Sequence, residues 1–121
     1  MTGSRPADIL RHLEPAGAAD ADLLRQFALH RDGTAFAELV RRHGPVVWGV
    51  CRRGTPGYQD AEDAFQAVFL LLARKPAALA RPDLLGNYLY GVAVRVAMRA
   101  RRAAARRRKR EVQVPTMPDP P

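Results

Sequence analysis

The sequence predicts an all-α fold, a compact bundle of three to four helices with an extended basic C-terminal helix. Three observations carry that prediction. Apolar residues recur at three- and four-residue spacings in four successive stretches, and no run of β-branched residues alternates as a strand would. Gly and Pro fall between those stretches, most clearly at Gly54-Thr55-Pro56-Gly57 and Lys75-Pro76. One stretch opens with Asp60, Glu62 and Asp63 and closes with Arg74 and Lys75, the charge order a helix dipole favours.

Taken in order, residues 1–19 carry Gly, Pro and Ala with little periodicity and read as a flexible lead-in. Asp20 or Asp22 can cap a short helix through Leu23, Leu24, Phe27 and Ala28 that ends near His30. Arg31, Asp32 and Gly33 make a turn, and Thr34 caps the next helix with Glu38 in its first turn. Its apolar positions are Phe36, Leu39, Val40, Val47, Val50 and Cys51, flanked by Val46 and Trp48. Gly44-Pro45 should bend this helix rather than split it, because the apolar pattern resumes in phase.

The stretch 60–74, DAEDAFQAVFLLLAR, is the one around which the others are placed. Asp60 is its expected N-cap and Asp63 a weak capping-box partner. Ala61, Phe65, Val68 and Leu72 form one apolar face. Phe69, Leu70 and Leu71 carry the apolar surface past a single stripe, while Glu62, Asp63 and Gln66 stay polar. Such a helix is either deeply buried or meets something on its second face. After Lys75-Pro76, Ala-Ala-Leu-Ala can form one irregular turn, and Pro82 and Asp83 start the last helix. Leu85, Tyr88, Leu89, Val92, Val96 and Ala100 are its expected buried stripe; beyond Ala100 it continues on propensity to about Glu111 with little to pack on. The domain is thus expected over 20–112, with a Pro-rich linker or tail over 113–121.

The chain has 121 residues, 47 % of them hydrophobic, which suits one domain with a small core. Cys51 is the single cysteine, so no internal disulfide can form and a reducing interior is expected. No apolar run approaches the ~20 residues of a membrane span and the N-terminus lacks a long apolar stretch, so the expectation is a cytoplasmic protein without a membrane partner. Net charge is +8, and its distribution is one-sided. Between Arg95 and Arg110 there are nine Arg and Lys and no acid, while the rest of the chain holds eleven bases and twelve acids. A near-neutral body with one basic arm points to a polyanion partner.

Catalysis finds little support in the residues. His12, His30 and His43 have neither a neighbouring nucleophile nor a paired ligand at helical spacing, and His43 and Cys51 are two turns apart. Asp60, Glu62 and Asp63 could hold a cation, but an acidic first turn accounts for them more simply. No catalytic residue, metal site or cofactor is therefore expected. The basic arm could be a solvated tail. Against that, Arg95 and Arg99 lie one turn apart on a helix whose earlier turns are buried, and Asn87-Tyr88-Leu89-Tyr90 sets aromatic rings beside the cations. Rings next to a positive track suit single-stranded nucleic acid, whose bases stack while its phosphates pair. Part of the Tyr88 ring is expected in the core; Tyr90, two residues on, points elsewhere.

The order of elements resembles region 2 of the sigma-70 family. A body helix FAELVRRHGPVVWGVCRR is followed by DAEDAFQAVFLLLARK, a proline-containing connection, and a helix Leu-x-x-aromatic-Leu-Tyr-x-Val-Ala trailed by arginines. The likeness covers about residues 20–112 and is greatest to extracytoplasmic-function (ECF) sigma factors of the type abundant in planctomycete-like bacteria. It implies that the acidic-headed helix docks on the clamp helices of the β′ subunit of RNA polymerase, through Asp60, Glu62, Asp63, Gln66 and Phe69. It implies that the loop and first turns of the last helix capture flipped bases of the non-template strand at the −10 promoter element. The matching residues are Lys75, Arg81, Asn87, Tyr88, Tyr90 and Arg95, with Arg99 and Arg102 along the phosphates. It implies a transcription-initiation factor, not an enzyme, and allows for an anti-sigma partner.

Departures are visible. The family often has Gln-Glu where this chain has Gln66-Ala67, and commonly Trp and Asn where Tyr88 and Arg95 stand, so the base preference does not carry over. Full members continue into a second helical domain, region 4, that reads the −35 element, whereas this sequence stops in the linker; it is read as a fragment or as a protein with half the usual promoter contacts. The alternatives from outside this reading are a small helical nucleic-acid-binding module that uses the arginine arm without polymerase, and an inactive fragment.

Overall fold

The structure, a computed structural model, describes residues 15–76 and 81–113. The expected lead-in up to residue 14, the irregular turn over 77–80 and the Pro-rich tail from Val114 onward lie outside the described residues. A 3-10 turn at Pro15–Gly17 precedes α1 (Asp20–His30), α2 (Gly33–Gly54) and α3 (Tyr58–Arg74); a second 3-10 turn at Pro82–Leu84 leads into α4 (Leu85–Gln113). The described residues contain no strand. None of their helices is long and apolar enough to cross a membrane.

The helix starts differ from expectation in instructive ways. No side chain caps α1, whose N-cap is Ala19. For α2 the cap is Asp32 rather than Thr34: its carboxylate accepts from the backbone N–H groups of Thr34 and Ala35, and the Thr34 hydroxyl donates to it as well. Gly33 is thereby drawn into the helix, and the left-handed residue that ends α1 is Arg31, at φ 51°. Arg31 holds that conformation with two ties: its guanidinium lies 4.3 Å above the Phe27 ring and donates to the Ala73 carbonyl at the end of α3. For α3 the helix begins at Tyr58 after Gly57, so Asp60 sits within the first turn instead of capping it. Asp63 accepts from Gln59 rather than closing a capping box.

Helix α2 runs unbroken through Gly44-Pro45 and packs on the other three helices. Leu39, Val47, Cys51, Val68, Leu72, Leu85 and Leu89 are fully buried between α2, α3 and α4. Truncating one of the leucines to alanine removes ~2–5 kcal/mol of such packing. Burial also pushes the Cys51 thiol up, so this cysteine is a core residue. The face of α3 toward the core holds Ala61, Ala64, Val68, Phe69 and Leu72. Phe69 thus departs from its expected role on the second face: only 5 % exposed, it packs edge to face on Phe36 and at a tilt against Phe65.

The buried stripe of α4 also shifts. It consists of Leu85, Leu89, Val92, Ala93, Ala97 and Ala104, whereas Tyr88 is exposed and Val96 and Ala100 are half-buried. Small side chains replace the expected aromatic because α2 approaches closely; a Cβ on Gly54 would stand 2.8 Å from that of Ala97. The helix is anchored beyond Ala100 by buried Ala104 and by Arg107, which pairs with Asp60 of α3 at 3.3 Å.

A polar network joins α1, α2 and the first 3-10 turn. Arg42 donates to Glu38 and Asp20, and to the carbonyls of Pro15 and Ala16; His43 Nε2 lies 2.8 Å from the second oxygen of Asp20. Arg41 grips Glu38 through two further bonds. Hydrogen bonds from Arg41, then Arg42, hold the Glu38 carboxyl at about 2, below its ordinary 4.5. A depressed folded-state value stabilises the fold above the unfolded value and ceases to do so as pH falls through the folded one. The urea midpoint of the wild type should therefore exceed that of Glu38→Gln most above pH 4.5, with the gap closing toward pH 2. A gap that does not change across this range would show that the ion pairs contribute nothing.

Candidate functional site

Two surfaces remain after the core is built, and they fall on different helices. On α3, the residues opposite the core are Gln59, Asp63, Gln66 and Leu70, spaced by four, three and four residues and therefore on one stripe. All four are exposed, Leu70 at 52 %, and Glu62 beside them is half-buried. The stripe borders an open groove between α2 and α3 lined by Gly44, Pro45, Trp48, Tyr58, Glu62, Phe65 and Gln66. Its aromatic wall is held edge to face, with the Trp48 ring 5.4 Å from Tyr58 and 5.9 Å from Phe65, and Arg52 lies over the far ring of Tyr58. An acidic and amide stripe next to an apolar groove suits a helix that offers cations and one apolar side chain.

Of the five residues expected on this surface, Glu62, Asp63 and Gln66 are there. Asp60 is half-buried and occupied by Arg107, and Phe69 is in the core. Trp48 and Tyr58 are additions. The sequence placed Trp48 only as a flank of the α2 stripe, and Tyr58 lay between the expected loop 54–57 and the expected helix start at Asp60; the groove exists because α2 and α3 pack side by side.

The second surface is a cleft of about 400 Å³ between the end of α3 and α4, lined by Leu71, Lys75, Tyr88, Val92, Arg95, Val96 and Arg99. It brings together four of the expected nucleic-acid residues, Lys75, Tyr88, Arg95 and Arg99, from two helices. Along α4, Tyr88, Arg95, Arg99, Arg102 and Arg106 follow at seven, four, three and four residues, which keeps them on one side. The cleft therefore opens onto a track of arginines leading away along the helix. None of Lys75, Arg95, Arg99 and Arg102 is paired with an acid among the described residues. Leu71, Val92 and Val96 give the cleft its apolar lining, and Leu71 is 45 % exposed. The sequence marked Leu71 as lying beyond the core stripe of α3, which was the available signal for it.

Three expected residues lie elsewhere. Tyr90, 50 % exposed, lines a separate shallow groove on the other side of α4 with Arg53, Met98 and Arg101. Asn87 is exposed but does not line the cleft. Arg81 is taken up by a two-pronged contact with Asp83 at 3.0 and 3.2 Å, and its guanidinium holds the Asp83 carboxyl below the usual range. Both partners are exposed, so the pair is weak and a phosphate could displace the carboxylate.

The family model of sigma-70 region 2 matches residues 39–107, more than half of the chain. The match spans α2 from Leu39, all of α3 and α4 as far as Arg107, and so contains both surfaces. No curated protein and no solved structure matches the chain significantly.

If the cleft and its arginine track hold a single strand, Tyr88→Ala should weaken binding by about 1–3 kcal/mol, while Tyr90→Ala on the other side should change it little. With about five phosphates engaged, the slope of log affinity against log salt should be near −3.5, and Arg99→Ala should reduce its magnitude by about 0.7. Titration of a labelled oligothymidine at several salt concentrations measures both; equal losses at Tyr88 and Tyr90, or a flat salt dependence, would refute the assignment.

Proposed function

The chain belongs to the sigma-70 region 2 family, and from that membership we propose that it docks on core RNA polymerase through α3 and stabilises the opened −10 promoter strand along α4. Membership places it in transcription initiation. The finer roles are our reading of the two surfaces. The observation that carries the reading is the stripe Asp63–Gln66–Leu70, which faces solvent in the lone chain beside an apolar groove. Gln66 belongs both to the stripe and to the lining of the groove, so one partner can cover the two together.

In this reading the clamp helices of the polymerase β′ subunit cover the stripe. Glu62 and Asp63 meet their cations, Gln66 supplies a neutral hydrogen bond, and an apolar side chain enters the groove between Trp48, Tyr58 and Phe65. Docking holds α4 at the DNA. The cleft at Tyr88 then captures unstacked bases of the non-template strand while Arg99 and Arg102 follow its phosphates. Capture lowers the free energy of the melted strand and leaves no covalent bond changed, so the protein acts by binding and not as an enzyme. It works in the cytoplasm, where polymerase and promoter meet. In this reading it is a sigma factor of the extracytoplasmic-function type, the type its motifs resemble most. A nucleic-acid module acting without polymerase would use α4 alone and leave the α3 stripe without a role.

Asp63→Lys places a like charge against the partner's cations without touching the core. Core polymerase should co-purify with the tagged wild type, and this substitution should lower that association at least tenfold, about 1.4 kcal/mol. Unchanged helical content by circular dichroism confirms that the variant folds. Undiminished association of Asp63→Lys would sink the docking surface.

A further inference from the structure

We propose that Arg31, in the turn between α1 and α2, is a positioning residue for the strand-binding cleft: it holds the last turn of α3 and thereby sets Lys75 at the edge of the cleft. This rests on the reading of the cleft as a strand-binding site and adds to it a residue that does not line it.

Arg31 stands where glycine would be easier. Its backbone, at φ 51° and ψ 42°, is left-handed, and among the described residues no other non-glycine has a positive φ. Its N–H donates to the Phe27 carbonyl at 2.8 Å and closes α1, a task glycine performs with less strain. What glycine lacks is the side chain. The guanidinium lies 4.3 Å above the Phe27 ring, which aims it across to α3. There its Nη1 donates to the Ala73 carbonyl at 2.8 Å, a contact between residues 42 apart in the chain.

The end of α3 has use for such a donor. The last carbonyls of a helix find no N–H within it. Helix α3 is followed by Lys75 at φ −137°, not by a left-handed residue that would fold the chain back onto those carbonyls. Pro76 comes next and has no N–H to give. The Arg31 guanidinium supplies a donor from outside, and its charge opposes the negative end of the helix dipole. Leu71 and Lys75, one turn apart at this end, form the α3 side of the cleft, with Tyr88, Arg95 and Arg99 of α4 on the other. Lys75 is the first residue past the helix, so its place follows that of the turn Arg31 holds. A helix end left to fray would carry this cation away from the arginines of α4 and break the positive rim in two.

The test uses the 121-residue chain and a labelled oligothymidine, titrated by fluorescence anisotropy at several salt concentrations. Arg31→Gly keeps the left-handed backbone and removes the reach. It should weaken binding about threefold at low salt and lower the magnitude of the log–log salt slope by about 0.7, the share of one phosphate, as Lys75→Ala should. A loss of stability alone would reduce the active fraction and leave the slope unchanged. Added to Lys75→Ala, Arg31→Gly should cost less than about 1.5-fold more, because its effect passes through Lys75. Arg25→Ala removes an equal charge from α1 and should change neither affinity nor slope. Circular dichroism checks the helical content of each variant. Losses at Arg31 and Lys75 that multiply would show two independent contacts and overturn the positioning role, as would an equal loss from Arg25→Ala. Full affinity of Arg31→Gly would overturn it too, in each case with the strand-binding cleft left standing. A wild type that binds no strand would remove the cleft reading and this inference with it.

Discussion

The close approach of α2 to α4 is the constraint on which the rest depends. Gly54 and Ala97 come so near that a single added Cβ would collide, and the buried stripe of α4 is correspondingly made of small residues over its second half, Ala93, Ala97 and Ala104. A helix that buries so narrow a stripe keeps most of its circumference in water. That is what allows nine cations between Arg95 and Arg110 to ride on an element fixed to the bundle. A wider apolar face would have hidden some of those positions. No anchoring would have left a self-repelling arginine segment whose helicity depended on propensity alone. The Arg107–Asp60 pair adds a second point of attachment, though an exposed pair of this kind contributes at most about 1 kcal/mol.

The same packing divides the two surfaces. With α4 fixed on one side of α3, the outward stripe of α3 stays exposed and only its last turn, at Leu71 and Lys75, reaches the α4 cleft. Helix α3 therefore serves both surfaces from different turns. Its two ends are tied independently, the first turn by Arg107 to Asp60 and the last by Arg31 to the Ala73 carbonyl. A partner seated on the middle of α3 meets a helix already held at both ends, so little ordering entropy opposes docking. The Asp20–Arg42–Glu38–His43 network does comparable work at the other side of α2, locking α1 against it through charged groups hydrogen-bonded to one another.

Where reading the chain alone succeeded, the reason was local. Apolar spacing fixed the four helices, and the run of acids at the head of α3 followed from the dipole of a single helix. Where it fell short, another residue had intervened, near in the chain or distant. Thr34 is a good cap in isolation, but Asp32 reaches two backbone N–H groups and takes the place. Phe69, four residues after Phe65 and three before Leu72, lies at the edge of the core face, and Phe36 of the neighbouring helix covers it. Tyr88 fits the buried stripe by spacing, but Gly54 leaves room only for alanine at the crossing, and the whole stripe rotates toward Ala93 and Ala97. That rotation turns Tyr88 outward to the cleft and sends Tyr90 to the opposite side.

The sequence by itself determined the class of the fold, the family and the sign of each surface, because these depend on periodicity, motif order and charge, which are properties of neighbours along a chain. Only the tertiary structure decided which of the charged and aromatic residues act together. Lys75, Tyr88, Arg95 and Arg99 meet because α3 ends where α4 begins its exposed side, while Asn87, Tyr90 and Arg81, adjacent to them in the chain, are turned away or occupied. Side chains one or two residues apart on a helix point in different directions, so membership of a site is set by how the helices cross.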